Sequence, residues 1–355
     1  MQFYGRLDPM SEVVEVQPKH QFDQQRVAEY LQAHLASFAG PLTVHQFSFG
    51  QSNPTYLLET PSARYVMRRK PPGKLLPSAH AVDREYRVIK AVSEQGFPVP
   101  RPLIFCEDDS VAGTIFYVME YKEGRVFSTR NLDEVPLPDR GPMVDDFIQV
   151  MGRLHAMDYR AMGLADFGRP GNYFQRQINR WSKQYRASET DNIPEMERLI
   201  DWLPNNIPTD DAESLVHGDY SLHNVMFHPQ KPQISAVLDW ELSTVGHPLG
   251  DLFYALMPWY SPSESYAGLS QAELQAQGMP SLPEIMDRYA EISGRAAIEN
   301  QAFYQAYTLF RLAGILQGIV GRVRDGTASN PNAALVAAQV QPLARAGCDL
   351  LDRSL

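Results

Sequence analysis

The sequence predicts an α+β fold in two lobes, a β-rich N-terminal lobe at residues 1–121 and a mainly helical C-terminal lobe at residues 122–355. Three observations support this prediction. Short apolar segments of β type, separated by turn residues, fill residues 43–70. After residue 122, apolar residues recur at helical spacing, and residues 214–239 are the exception, with a β-type pattern.

The N-terminal part is expected to combine a leading helix with an antiparallel sheet. Residues 22–38 and 79–95 carry apolar side chains at helical spacing, and the second of these helices stops at Gly96. The expected strands are Thr43–Phe49, Thr55–Leu58, Tyr65–Arg68, Leu103–Cys106 and Thr114–Tyr121.

The C-terminal part is expected to consist of helices around a small β insert, in which residues 234–238 form a buried strand. The polar segment at residues 260–280 is expected to be an exposed loop. The predicted helices lie near residues 142–157, 173–187, 193–203, 249–257, 282–293, 298–323 and 332–352.

Composition and charge exclude several classes of protein. The net charge of −10 disfavours nucleic-acid binding, which needs a basic surface. The two cysteines, Cys106 and Cys348, lack the spacing of a zinc site and fit a reducing cytoplasm. Neither a secretory signal nor an apolar run of about 18 residues is present, so no membrane span is expected.

The strongest local signal is the loop HGDYSLHN at residues 217–224, followed by LDWE at residues 238–241. Phosphoryl transfer needs a carboxylate that orients the attacking hydroxyl and accepts its proton, together with oxygen ligands for Mg²⁺. Asp219 supplies such a carboxylate, and Asn224 and Asp239 supply the ligands. For any one of these residues alone, a turn or a helix cap is the simpler explanation. Their joint order and spacing favour a catalytic site.

Other residues near these motifs are given structural roles. His217 is expected to support the loop in preference to transferring protons, and His155 and His223 are expected to pack. Glu241 is either in the outer shell of the metal or in a surface salt bridge. Asp251 is expected either to cap a helix or to place a charge in its first turn. In the protein-kinase-like fold that these motifs resemble, an aspartate near this position bonds to the backbone of the catalytic loop.

With these motifs the chain resembles the aminoglycoside phosphotransferase-like branch of the protein-kinase-like fold. That branch carries an HGDxxxxN loop followed by a metal-binding aspartate, and the resemblance extends from about residue 43 onward. It implies a nucleotide between the two lobes, Asp219 as the catalytic base, and Asn224 and Asp239 as magnesium ligands. ATP is the implied donor, with GTP as an alternative.

The resemblance also implies nucleotide contacts in the N-terminal lobe. The segment at residues 47–55 would cover the phosphates through Gly50, Ser52 and Asn53, although an ordinary hairpin turn also explains it. The segment MEYK resembles a kinase hinge, in which the backbones of Glu120 and Tyr121 would bind the adenine edge.

Arg68 stands where protein kinases have a strand lysine that contacts the phosphates. Because strand side chains alternate, Arg68 shares a face with Val66, and Arg69 points the other way. Arg68 would pair with Glu85 on the next helix, as the kinase lysine pairs with a glutamate. A solvated charge at the end of a strand is the alternative for Arg68.

Residues 50–56 and 68–80 narrow the resemblance to the kinase-like domain that precedes acyl-CoA dehydrogenase modules. This domain is expected to stand alone, because 355 residues leave no room for a dehydrogenase. The implied partner is a small molecule with a hydroxyl group, in particular a hydroxyacyl-CoA thioester. The alternatives are a kinase for an aminoglycoside or a choline-like amine, a non-catalytic nucleotide-binding scaffold, and, more weakly, a metal-dependent hydrolase.

Overall fold

The computed structural model describes residues 13–48, 53–73, 80–127, 132, 134–262, 265, 268–269, 271–324, 335 and 337–353. The chain forms two compact units that interleave in the sequence. Unit 1 comprises Met1–Thr129, Arg160–Leu164 and Leu222–Ser243, and unit 2 comprises Arg130–Tyr159, Ala165–Ser221 and Thr244–Leu355. An N-terminal antiparallel sheet precedes a mainly helical part, so the predicted α+β class is confirmed.

The elements found in the described ranges follow here in chain order. They are β1 (Val13–Val14), α1 (Gln24–His34), β2 (Thr43–Phe47), β3 (Thr55–Glu59), β4 (Arg64–Arg69), α2 (Val82–Glu94), β5 (Pro102–Cys106), α3 (Asp109–Ala112), β6 (Phe116–Glu120), α4 (Leu137–His155), α5 (Tyr173–Ser188), α6 (Pro194–Asn205), β7 (Ser214–Val216), β8 (Val225–Phe227), β9 (Ile234–Val237), β10 (Thr244–Gly246), α7 (Pro248–Ala255), α8 (Met257–Tyr260), α9 (Gln271–Ala276), α10 (Leu282–Ser293), α11 (Gln301–Arg324) and α12 (Val340–Asp352).

Unit 1 is built on a six-stranded antiparallel sheet in the order β1-β2-β3-β4-β6-β5. Helix α1 begins at Asp23, whose side chain accepts a hydrogen bond of 3.1 Å from the Arg26 backbone N–H. The apolar face of α1 packs into the same core as Met67 of β4. Because side chains alternate along a strand, this contact leaves Arg68 on the other face of the sheet.

The same unit contains a two-stranded antiparallel sheet, β8 with β9, reached through a 3-10 turn at Leu222–Asn224. The backbone of Arg125 pairs with that of Phe227, and the Val237 N–H donates to the Pro98 carbonyl over 2.7 Å. These bonds attach the small sheet to the segments that flank the six-stranded sheet. Asp239, two residues after the end of β9, belongs to the same compact unit as Arg68.

Unit 2 is a helical assembly in which the long helix α11 packs against α5 and α12. Its two short strands, β7 and β10, pair in antiparallel register, with Val216 opposite Thr244. The catalytic-loop residues follow β7. None of the helices in the described ranges combines the length and apolar character needed to span a bilayer.

The sequence-based boundaries need three corrections. The segment at residues 260–280, expected to be a loop, contains helix α9. The helix expected near residue 142 begins earlier, at Leu137: Pro138 lies in its first turn, where proline is tolerated, and Pro142 lies inside the helix. The short elements β1 and β10 were too brief to be predicted from periodicity. Phe49 and residues 332–334, parts of a predicted strand and helix, lie outside the described residues.

Candidate active site

Unit 1 contains a cavity of about 340 Å³ that collects most of the predicted site residues. Its walls are largely apolar and include Val66, Ile89, Met119 and Val237. A flat, apolar group such as a purine ring fits walls of this kind. The predicted site residues that line the cavity are Arg68, Glu85, Glu120, Tyr121, Asn224 and Asp239.

Arg68 projects from β4 into a cluster of three carboxylates. Its Nε lies 3.1 Å from Oε2 of Glu85, and its Nη2 donates to Oδ1 of Asp239 over 2.9 Å. Oε2 of Glu241 lies 3.6 Å from the same Nη2. The Arg68 side chain is 13% exposed, so it is not a solvated strand-end charge. The expected pairing of Arg68 with Glu85 is present.

Arg69 points away from the cavity, as the alternation of side chains along β4 predicts. Arg69 is buried on the other face of β4, where its Nε donates to the Thr114 hydroxyl over 3.0 Å. Its Nη1 donates to the His20 carbonyl over 3.1 Å. Arg69 therefore supports the fold on the side facing α1, and Arg68 is the arginine of the cavity.

Glu85 is the most deeply buried carboxylate of the Arg68 cluster. Burial raises the pKa of Glu85 to about 7, against the opposing effect of the Arg68 guanidinium. The carboxylates of Asp239 and Glu241 add to this rise. Tyr117, opposite Arg68 on the neighbouring strand, is also buried, and burial raises its pKa well above the ordinary value. Arg68 is thus held between a buried carboxyl group and cavity-lining oxygen atoms.

Asp239 has a left-handed backbone conformation, with φ of 62° and ψ of 65°. Aspartate is one of the few residues with a Cβ that adopt this region readily. The chain is fixed on its far side by Trp240, which is buried and donates from Nε1 to the Val237 carbonyl over 3.0 Å. The left-handed turn ends β9 abruptly and leaves the Asp239 side chain 38% exposed at the cavity.

Asn224 and Asp239 form a donor set that suits Mg²⁺. The Leu238 N–H donates to the Asn224 carbonyl over 2.8 Å, which ties the backbone beside one residue to that of the other. Mg²⁺ binds oxygen ligands, takes one or two carboxylates from a protein and keeps several waters. No cluster of three or more His, Cys, Asp or Glu side chains in the described ranges could hold a metal. One carboxylate and one amide oxygen, completed by phosphate and water, fit magnesium.

The loop that follows β7 in unit 2, which contains the predicted base Asp219, is held by its backbone. The N–H groups of His217 and Gly218 donate to the two carboxylate oxygens of Asp251, over 2.7 and 2.8 Å. Gly218 has a φ of 82°, which a residue with a side chain rarely adopts. The His217 ring is buried and its Nδ1 accepts from the Asp219 N–H over 3.3 Å. His217 therefore contacts the backbone of the loop that carries Asp219.

His155 links Asp251 to Tyr289 through the two nitrogens of its ring. Nε2 of His155 lies 3.3 Å from Oδ2 of Asp251, and Nδ1 of His155 lies 2.6 Å from the Tyr289 hydroxyl. Burial opposes ionisation of Asp251, but the bonds from His155 and from the loop backbone hold its pKa below the ordinary value. The cap of α7 is His247, so Asp251 is not the cap; it lies in the first turn of α7, as expected, and it also accepts from the loop backbone.

Sequence reasoning missed Arg311, which contacts the same loop. It lies on α11, and its Nη2 donates to the Gly218 carbonyl over 2.8 Å. Gly218 is therefore held through its N–H by Asp251 and through its carbonyl by Arg311. The periodicity of α11 predicts a helix with a buried face and gives no sign that an arginine lies on that face.

Of the other residues predicted to contact the nucleotide, some line the cavity and others do not. Glu120 and Tyr121 line the cavity, as a hinge would. Asn53 is buried, its Oδ1 lies 3.2 Å from Nδ1 of His80, and it is not among the residues that line the cavity. Gly50 and Ser52 lie outside the described residues. The phosphate-covering role of this turn therefore stays a prediction.

A larger cavity, about 570 Å³, lies in unit 2 but contains none of the predicted site residues. It is lined by Glu213, just before β7, whereas the catalytic loop follows the other end of that strand. Size alone does not make a cavity a functional site, and the 340 Å³ cavity of unit 1 is the candidate nucleotide site because predicted site residues line it.

Comparison with known proteins gives a consistent result. Residues 43–291 match a family described as the phosphotransferase enzyme family. The rat (Rattus norvegicus) protein acyl-CoA dehydrogenase family member 11 is 41% identical over 356 residues, which is 98% of this chain and 46% of that protein. Probable acyl-CoA dehydrogenase IBR3 of Arabidopsis thaliana is 40% identical over 339 residues, 89% of this chain and 41% of that protein. The chain thus spans less than half the length of these relatives.

Solved structures agree on the fold. A Ralstonia eutropha protein, provisionally assigned as an aminoglycoside phosphotransferase, is 44% identical, with a TM-score of 0.87 over 94% of this chain and 99% of that one. A spectinomycin phosphotransferase solved with ADP and spectinomycin is 13% identical, with a TM-score of 0.62 over 94% and 99% of the two chains. Choline kinase from Cryptosporidium parvum is 11% identical, with a TM-score of 0.57 over 94% and 95%. The predicted kinase-like fold is confirmed, and at this identity the last two matches establish the fold alone.

Proposed function

Because this chain belongs to the phosphotransferase enzyme family, we propose that it transfers the γ-phosphoryl group of ATP to the hydroxyl of a small hydroxyacyl compound, in particular a hydroxyacyl-CoA thioester. The observation that carries this proposal is the convergence of Arg68, Asn224 and Asp239 on one apolar-walled cavity. Phosphoryl transfer is catalysed mainly by positioning and by electrostatic stabilisation, and this set offers both.

The cavity of unit 1 would hold the donor. Its apolar walls accept the purine, and Arg68 offers the phosphates a planar fork of N–H donors. Glu85 braces that guanidinium from the protein side. Asn224 and Asp239 would hold Mg²⁺, which neutralises charge on the phosphate oxygens when bound.

Asp219 is proposed as the base. Its carboxylate orients the acceptor hydroxyl and takes the proton while the hydroxyl oxygen forms a bond to the γ-phosphorus. The bond from that phosphorus to the bridging oxygen breaks in line, and ADP leaves with the electron pair. Asp251 and Arg311 hold Gly218, the residue before Asp219, from both sides, which would position the base before transfer.

The choice of a hydroxyacyl acceptor rests on the relatives. The chain aligns with part of proteins named acyl-CoA dehydrogenases, at about 40% identity, so the two activities would act on one class of acyl compound. We propose that phosphorylation of the hydroxyl is a step in hydroxy-acid breakdown. The competing acceptors are aminoglycosides and choline-like amines, for which the net charge of −10 is permissive.

A panel of acceptors tests the proposal. Purified protein, ATP and Mg²⁺ are incubated with hydroxyacyl-CoA thioesters, free hydroxy acids, an aminoglycoside and choline. ADP release and the phosphorylated product, identified by ³¹P NMR, are both measured. We expect a phosphate ester on the hydroxyacyl compounds. Transfer to the aminoglycoside or to choline alone would overturn the acceptor class. ADP release without any phosphate ester would indicate a hydrolase, and ATP binding without turnover a scaffold.

A further inference from the structure

Arg311 lies in an unusual environment within unit 2. It is 9% exposed, and its guanidinium carbon lies 4.6 Å from the centre of the Tyr254 ring and 5.8 Å from that of Trp181. Aromatic faces stabilise a buried cation, but they do not neutralise its charge. The hydrogen bond from Nη2 to the neutral Gly218 carbonyl uses one of its five N–H donors.

The group lacks the partner that a buried cation ordinarily has. Within the part of the chain that the structure describes, no carboxylate forms a salt bridge with Arg311, and its Nε has no hydrogen-bond acceptor. Nε1 of Trp181, a side chain that is 8% exposed, has none either. Buried donors are nearly always satisfied in folded proteins, and unpaired buried charge is strongly unfavourable. Two neighbouring unsatisfied donors therefore indicate a ligand oxygen.

The position of these donors is set by the catalytic loop. Arg311 binds the carbonyl of Gly218, the residue directly before Asp219, and the Asp219 carboxylate interacts electrostatically with the guanidinium. A ligand oxygen bound by Arg311 would thus belong to the molecule whose hydroxyl faces the proposed base. A positively charged acceptor group would be repelled by the same guanidinium.

We propose that Arg311 and Trp181 bind the acyl oxygen of the acceptor and select hydroxy acids and their thioesters over amines and neutral alcohols. This inference rests on the proposed phosphotransferase function and identifies its acceptor side. The bound oxygen is either a carboxylate oxygen of a free hydroxy acid or the carbonyl oxygen of a thioester. Arg311 is a specificity-determining residue in this scheme, and Trp181 supplies the second N–H.

Loop support alone explains the structure less well. Holding one backbone carbonyl needs one neutral donor, and burying a full charge for that purpose is unfavourable. If support were the whole role, a substitution would slow transfer to every acceptor equally. If Arg311 binds the acyl oxygen, the effect depends on whether the acceptor has that oxygen.

The test compares substitutions on three matched acceptors. Arg311→Lys keeps the charge and loses the planar fork, and Trp181→Phe removes only the indole N–H. Arg180→Lys is the matched control, since Arg180 is an exposed neighbour that lies 5.2 Å from the same Trp181 ring. Each protein is assayed with a hydroxyacyl-CoA, the free hydroxy acid and a neutral diol of the same chain length.

We expect Arg311→Lys to lower kcat/KM for the acyl acceptor by at least about tenfold, mainly through KM, with little change for the diol. Trp181→Phe should lower it less, and Arg180→Lys should leave it unchanged. A loss with the thioester but not with the free acid would identify the thioester carbonyl as the bound group, and the reverse a carboxylate. Equal losses for acyl acceptor and diol, or none for either, would overturn the inference.

Failure of the proposed function is measured separately. If the unmodified protein phosphorylates none of the hydroxyacyl compounds, that function is wrong, and calorimetric titration with the free hydroxy acid then decides the inference. Binding that is lost in Arg311→Lys and kept in Arg180→Lys supports an acyl-oxygen site. No binding to the unmodified protein overturns it. The affinity for ATP should be the same in all the variants.

Discussion

Arg68 of unit 1 and Arg311 of unit 2 are both largely buried guanidinium groups, yet their surroundings are opposite. Arg68 lies within 3.6 Å of Glu85, Asp239 and Glu241. Arg311 has a backbone carbonyl and two aromatic faces, and no salt bridge in the described residues. The Arg68 charge is paired with carboxylates in direct contact, whereas Arg311 has no carboxylate at salt-bridge distance in the described residues and interacts with Asp219 only electrostatically.

This difference separates two ways of using a buried cation. The carboxylates hold Arg68 in place before any ligand arrives, so phosphate and magnesium would redistribute existing contacts between Arg68 and Asp239. Arg311 is held by weaker contacts and would gain a further hydrogen-bond acceptor from a ligand. The first arrangement favours rigid positioning of a common donor, and the second favours selection among acceptors.

The largest expected effect follows from removing the base on the acceptor side. Asp219→Asn should lower turnover by about 10²- to 10⁴-fold, because an amide cannot accept the hydroxyl proton. Steady-state ADP release measures this loss. ATP binding should be unchanged, because the proposed donor contacts belong to unit 1. Near-normal turnover in a folded Asp219→Asn protein would remove the residue from the mechanism.

Next comes a direct comparison of the two arginines by substitution with methionine. Arg68→Met leaves Glu85 buried beside two other carboxylates, and removing one partner of a buried ion pair destabilises a protein by about 3–5 kcal/mol. Arg311→Met leaves one carbonyl without its donor, which costs about 1–2 kcal/mol and is offset by removal of the buried charge. Urea unfolding measures both free energies. A larger loss of stability for Arg311→Met than for Arg68→Met would mean that the fold depends more on Arg311 than on the carboxylate-paired Arg68.

The two arginines also differ in whether the sequence alone could identify them as site residues. Arg68 was identifiable because side chains alternate along its strand and because it stands at the position of the kinase strand lysine. Its pairing with Glu85 followed from the resemblance to kinases, and both lie in one compact unit. The trio of Asp219, Asn224 and Asp239 was likewise identified from order and spacing.

Arg311 was not identifiable, for a physical reason. It lies 92 residues after Asp219 on a long helix whose buried face is rich in apolar and aromatic residues. Periodicity assigns a residue to a helix, and it does not say which polar side chain on that helix meets a distant loop. Contacts of this kind depend on tertiary packing, as does the choice between capping and loop support at Asp251.

The buried imidazole of His247 in unit 2 gives a smaller, pH-dependent test. Burial lowers the pKa of His247 to about 4, so the folded protein holds this ring neutral. Its Nδ1 accepts from the Leu249 N–H over 3.2 Å, and protonation there would break the cap of α7. The unfolded chain binds the proton near pH 6.5, so stability should fall as pH drops from 6.5 to 4. The loss is up to about 3 kcal/mol.

Unfolding in urea at a series of pH values measures this dependence. His247→Asn should flatten it, because asparagine can cap the helix and does not titrate in this range. His34→Asn, a change at an exposed histidine of α1, is the control and should leave the slope intact. An unchanged slope in His247→Asn would mean that the acid sensitivity arises elsewhere.

The smallest expected effect is on the magnesium dependence of ATP binding, and it is tested at Asp239, a partner of Arg68. Asp239→Asn keeps an oxygen for the Arg68 Nη2 and loses the charge that Mg²⁺ needs, so the added stability from ATP should no longer depend on magnesium. At ATP about ten times its Kd that stability is about 1.4 kcal/mol, measured as a thermal shift with and without Mg²⁺. Glu241→Gln changes a carboxylate at 3.6 Å from the same Nη2 and should keep most of the shift. If the two variants behaved alike, the metal would depend on the charge of the whole cluster, and Asp239 would have no special role as a ligand.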